Sequence, residues 1–144
     1  MNSKLQAAYD EIIQVTGNLG ITFKLKEEGD RFLLYADGVT LKNHKSDIRL
    51  EFSVNDGGGA KFRAVFDRLK PSKGNLSRIN DFNEDSLFFH AYIRTDKKNR
   101  YFTLRHFTIW DEPTEVYSFA NETMSRFTKL SDNKLLKKIT RRTK

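Results

Sequence analysis

Cysteine is missing from all 144 residues. Its absence removes disulfides, thiolate nucleophiles and cysteine-based zinc sites together, and suits a reducing compartment. Proline is scarce, with Pro71 and Pro113 the two examples, and both fall between periodic segments. Long apolar runs are also lacking, since nothing approaches the roughly 18 to 20 residues that a membrane span requires. Met1 to Gly17 interleaves charged and polar residues with its apolar ones, unlike a secretory leader. The expectation is a soluble, cytoplasmic chain with no transmembrane segment.

Catalytic and metal-binding patterns are equally thin. The three histidines, His44, His90 and His106, form no HxxxH or comparable spacing with one another or with a nearby carboxylate. Gly57, Gly58 and Gly59 precede a strand pattern and lack the Lys-Ser/Thr of a phosphate-binding loop, so they read as a hairpin turn. The acidic pairs Glu27 with Glu28, Glu84 with Asp85 and Asp111 with Glu112 sit at turns or helix starts, where solvation and capping explain them. No nucleophile, base and orienting group can be assembled. We therefore expect no enzymatic activity, no metal and no cofactor.

What is present is enough for one folded domain. Hydrophobic residues make up 38% and charged residues 31%, and 12 phenylalanines recur in alternating patterns. The formal charge is +7, but it is unevenly placed. Six of the 26 basic residues, Lys134, Lys137, Lys138, Arg141, Arg142 and Lys144, lie after Asn133 with no acid among them; the other twenty face 19 acids in a nearly neutral body. We expect a single domain over residues 1–131 and a basic C-terminal extension over 132–144.

Periodicity supplies the elements. Leu5, Ala8, Tyr9, Ile12 and Ile13 have helical spacing, with Ser3 as the expected N-cap and Gly17 as the stop. From Ile21 the period falls to two, giving a hairpin that turns at Glu28, Gly29 and Asp30. Ile48, Leu50, Phe52 and Val54 alternate with Arg49, Glu51 and Ser53, and after the turn at Asn55 to Gly59 a partner strand carries Phe62, Ala64 and Phe66. Leu76, Ile79 and Phe82 predict a short helix closing near Asn83.

A further hairpin joins Leu87–Thr95 to Arg100–Ile109. Pairing Thr95 with Arg100 sets Ala91 opposite Leu104 and Ile93 opposite Phe102 on one face, with Arg94 opposite Tyr101 and Tyr92 opposite Thr103 on the other. In that register His90 faces outward beside Arg105 and His106 falls on the inner face near Phe89. Pro113 then opens a long amphipathic helix over Thr114–Leu130. The sum is an α+β fold: an antiparallel sheet of about five to six strands, flanked by an N-terminal helix and a long C-terminal helix, with helices on one face.

Ser77 to Leu130 resembles the YbjN family, whose fold is like that of the type III secretion chaperones. The matching features are Ile79-Asn80-Asp81-Phe82-Asn83 on a short helix, a hairpin with Ala91-Tyr92 in one strand and Tyr101 to Leu104 in the next, and an amphipathic C-terminal helix. The resemblance implies an α+β domain without cofactor chemistry, from a class that tends to dimerise and to bind protein segments. The basic tail and near-neutral body depart from that class, whose members are typically acidic.

Two binding surfaces stand out. The outer sheet face collects Arg49, Arg63, Tyr92, Arg94, Tyr101, Thr103 and Arg105, a mixture suited to phosphate pairing with stacking, and also ordinary for a solvated antiparallel face. The tail, Lys134 to Lys144, suits phosphates, acidic protein or an anionic membrane surface, and also an ordinary solvated end. The leading expectation is a non-enzymatic protein-binding module, chaperone-like or regulatory. The alternative is a small basic protein that binds nucleic acid or inhibits a nucleoprotein through the outer face and tail. A homodimer is left open, because sheet edges and a long amphipathic helix both support self-association.

Overall fold

The computed structural model describes residues 1–44, 46–68 and 73–140. Its first helix, α1 (Ser3–Gly17), is capped one residue earlier than the spacing predicts: Asn2, not Ser3, accepts the Leu5 N–H at 2.8 Å through its side chain. Leu5, Ala8, Ile12 and Val15 form the buried stripe. Strand β1 (Lys24–Glu28) starts three residues later than the alternation from Ile21 predicts, and Ile21 and Phe23 pack against the core as part of the connection.

Gly29, with φ +63°, turns β1 into β2 (Arg31–Val39), because a left-handed backbone there suits a residue without Cβ. A second hairpin joins β3 (Ile48–Asn55) to β4 (Gly59–Arg68). Gly58 at its turn has φ +101°, and a Cβ there would lie 2.8 Å from the Trp110 carbonyl. Then α2 (Lys73–Asp85) leads to β5 (His90–Asp96) and β6 (Asn99–Ile109). Their register is the expected one, with Ala91 opposite Leu104, Ile93 opposite Phe102 and Thr95 opposite Arg100.

All six strands form one antiparallel sheet in the order β1-β2-β3-β4-β6-β5. The fold is α+β. Its last long helix, α3 (Pro113–Lys129), opens on a capping box in which the Glu112 and Glu115 side chains exchange backbone partners, with Pro113 in the first turn. A single 3₁₀ turn at Leu130–Asp132 precedes α4 (Lys134–Ile139).

Every helix lies on the same side of the sheet. Period-two alternation sends Phe32, Leu34, Leu50, Phe52, Phe62, Phe102 and Leu104 to that side, where all are buried. Aromatic rings then lock the layers together. Phe52 meets Phe62 at 5.1 Å and Phe119 of α3 at 6.2 Å, Phe62 meets Phe127 of α3 at 6.0 Å, and Phe82 of α2 meets Phe102 at 6.3 Å. Among the described residues the other side of the sheet carries no helix.

The C-terminal segment corrects the expected boundary at residue 131. Residues 133–139 fold back onto the domain: Asn133 caps α4 by accepting the Leu136 N–H, and Leu136 and Ile139 are buried in the main core. The apolar stripe of this helix, rather than the charge around it, sets its position. Arg141, Arg142 and Lys144 lie outside the described residues.

Candidate binding face on the uncovered side of the sheet

The register brings the seven outer-face residues together. Across the middle of the sheet runs the row Tyr35, Glu51, Arg63, Arg105, His90, one residue from each of β2, β3, β4, β6 and β5. The next row holds Arg49, Val65, Thr103 and Tyr92, and beyond it Arg94 stands opposite Tyr101. Side chains two apart on a strand share a face, so these rows form one continuous surface.

Its electrostatics centre on Glu51. This carboxylate is 5% exposed, although it sits on the face without helices. Arg49 reaches one of its oxygens at 2.9 Å and Arg63 approaches the other at 3.0 Å. The Arg63 contact is off the hydrogen-bond line but well within ion-pair range, so attraction holds it without alignment. Arg49 also pairs with Asp37 at 3.3 Å and lies 4.4 Å over the Tyr35 ring. Burial opposes the Arg49 charge, but the hydrogen bond and charge of Glu51, followed by Asp37, outweigh it and hold the guanidinium above its ordinary value.

Arg63 and Arg105 face each other directly, a like-charge pair that a sheet tolerates only when each charge has its own outlet. Arg63 has Glu51. Arg105 instead lies 5.2 Å over the Tyr92 ring, and the His90 ring stacks on Tyr92 at 6.2 Å. Tyr92 therefore has two cationic or aromatic neighbours, both from the adjacent row of the sheet.

Between Arg49 and the Arg94–Tyr101 pair is a groove of about 360 Å³. Asp37, Asp47, Glu51 and Asp96 line it against Arg49 and Arg94. The sequence singled out the cations of this face and passed over its acids. Glu51 was visible in the alternation of β3, but only the pairing of β3 with β4 sets it opposite Arg63. The exposed apolar residues at the far end of β6, Phe107 at 55% and Ile109 at 75%, were also passed over.

No protein family, curated protein or solved structure matches this chain.

The remaining sites are structural in geometry. His106 is sandwiched between the Phe88 ring at 3.8 Å and the Phe119 ring at 5.5 Å, and its Nδ1 lies 3.0 Å from the Phe88 carbonyl. Burial pushes its pKa below the usual histidine value, against the opposing pull of that carbonyl and of Glu122. His44 places Nε2 at 3.0 Å from the Leu130 carbonyl, and burial lowers its pKa too. His90 and His106 lie on opposite faces, as the register predicts. Among the described residues no three His, Cys, Asp or Glu side chains cluster as a metal site, and no helix is long and apolar enough to cross a membrane. Of the basic C-terminal residues, Lys134, Lys137 and Lys138 project from α4, with Lys137 half-buried.

Proposed function

We propose that this chain is a non-enzymatic protein-binding module, chaperone-like or regulatory in kind, that docks a partner on the uncovered face of its sheet. The observation that carries the reading is the internal neutralisation of the Arg49–Arg63 part of that face. Arg49 and Arg63 are held by Glu51 and Asp37, and among the described residues the groove beside them is lined by four carboxylates and two guanidinium groups. Phosphates are repelled from such a groove, whereas mixed-charge protein surface is not. Tyr92, one of the tyrosines of this face, already has Arg105 and His90 against its ring. Phe107 and Ile109 add exposed apolar area on the same face, the composition expected where proteins meet. The YbjN-like features of residues 77–130 point the same way.

Photoreactive phenylalanine analogues placed at Tyr101, Phe107 and Tyr117 test it. Tyr101 and Phe107 lie on the sheet face, and Tyr117 is an exposed position on α3. Adducts to protein are expected from the first two positions and not from the third. Absence of protein adducts, together with oligonucleotide binding that falls steeply with salt, replaces this reading by the nucleic-acid one. Substrate turnover abolished by a point substitution overturns the non-enzymatic claim.

A further inference from the structure

β6 has eleven residues and β5 only seven. Their pairing ends at His90 opposite Arg105, so residues 106–109 of β6 pair with β4 alone. Two separate contacts fix where the backbone of this overhang points. The Trp110 N–H donates to the Gly58 carbonyl at 2.7 Å, which turns the even-numbered residues of β6 toward β4 and the odd-numbered ones away. At the other strand, Asn83 holds both backbone groups of Ala91 from outside the sheet, so those of neighbouring His90 turn inward to Arg105. Both contacts aim the Phe107 backbone groups and the Ile109 N–H at the place a longer β5 would have filled.

The side chains around that opening are unusual for a solvated end. Phe107 and Ile109 are mostly exposed, and Leu87, in the loop entering β5, is 99% exposed. Lys61 stands opposite Phe107 on β4, and Arg105 lies two residues away on β6. Among the described residues neither has a carboxylate within ion-pair distance. An open strand edge, two apolar side chains at alternate positions and two uncompensated cations converge within one short stretch.

We infer that residues 107–109 of β6 are a strand-addition site for an extended, acidic segment of a partner protein. The added strand continues the line of β5, pairing its backbone with Phe107 and Ile109. Its apolar residues at alternate positions cover those two side chains, and a carboxylate beyond them meets Arg105 or Lys61. This inference rests on the protein-binding reading and narrows it to one edge and one partner chemistry.

Labelled synthetic peptides test it on the full chain. The probe alternates threonine with valine in its middle and carries glutamates at its ends; its counterpart has lysines in place of the glutamates. The glutamate peptide is expected to bind about tenfold or more tightly than the lysine peptide at low salt. Two N-methylated versions, each blocking one alternate set of amides, are expected to differ sharply, because only one set faces β6. Ile109→Pro removes the outward N–H at an edge position where proline is tolerated, and lowers affinity about fivefold or more with the thermal midpoint as a check on folding. Equal binding of the two charge forms, or equal effects of the two methylation patterns, overturns the inference. So does a protein adduct at Tyr101 that forms undiminished in the Ile109→Pro chain, which leaves docking on the sheet face standing.

Discussion

The Asn83 side chain holds the main chain of Ala91 by both of its amide atoms. Its Oδ1 accepts the Ala91 N–H at 2.7 Å, and its Nδ2 donates to the Ala91 carbonyl at 2.9 Å. One side chain on α2 thus stands where a neighbouring strand would be, on the outer side of an edge strand. Unpaired edge groups invite pairing with other chains, and here the vulnerable position is closed from within.

Asn83→Ala is therefore expected to cost about 1–3 kcal/mol, since two backbone groups of a buried residue lose their partner. Native-state hydrogen exchange gives the sharper readout. The Ala91 amide is expected to lose protection ahead of the amides of β3 and β4. An unchanged Ala91 exchange rate, with the domain still folded, would show that the contact does not guard this edge.

Neutralisation of the sheet face by Glu51 has its own consequence. Glu51→Gln leaves Arg49 with Asp37 and leaves Arg63 beside Arg105 without a counter-charge. The loss is expected to be about 1–2 kcal/mol, below the range for a fully buried pair because both arginines keep solvent contact. The same change raises the charge of the face. Weak, salt-sensitive oligonucleotide binding is expected to appear in the variant and not in the parent, as measured by fluorescence anisotropy at low and high salt. Equal oligonucleotide affinity in both chains would remove the explanation given for the protein-binding reading.

Stability is expected to fall on mild acidification. His44 and His106 both have folded-state pKa values below their ordinary value, with burial the main cause in each. For His44 the nearby Lys137 adds to the lowering, and the Leu130 carbonyl opposes it. Both groups take up protons more readily when unfolded. Their contribution is thus constant above the unfolded pKa, near 6.5, and declines as pH falls from there toward the lowered folded values. Urea midpoints between pH 7.5 and pH 5 measure this slope. His106→Phe preserves the ring between Phe88 and Phe119 and is expected to flatten it; a slope unchanged in that variant would assign the whole effect elsewhere.

Much of this architecture was legible before any coordinates. Alternating apolar residues marked β3, β4 and β6 because a half-buried sheet face repeats every second residue, and pairing Thr95 with Arg100 across the Asp96-to-Asn99 turn set the register of Ala91 against Leu104. Less legible was whatever depends on contacts distant in sequence. Asn83 reads as a turn residue until β5 is placed beside α2. Glu51 reads as solvated until β4 brings Arg63 across from it. Phe107 and Ile109 share the parity of Tyr101 and Arg105, so their outward direction was available; their exposure depended on where β5 starts, and the run Leu87–Phe89 reads as strand although it forms the approach to one.

The C-terminal segment shows how charge can conceal packing. Six cations after Asn133 read as a detached basic extension, yet Leu136 is fully buried, Ile139 is 2% exposed, and α4 lies against α2. Packing and charge are separable by substitution. Leu136→Ala is expected to destabilise the domain by about 2–5 kcal/mol through the cavity it leaves in the core. Lys134→Glu and Lys138→Glu, at exposed positions of the same helix, are expected to stay within about 0.5 kcal/mol. Denaturant midpoints with an unchanged m-value decide between them. The same logic bears on truncation: a chain ending at Ser131 loses two core residues with its cations, so any function lost on that cut is attributable to the tail's charge only if the lysine reversals, which leave the core intact, lose it as well. If Leu136→Ala proved as silent as the lysine changes, α4 would have no part in holding the core, and the boundary at residue 131 would stand.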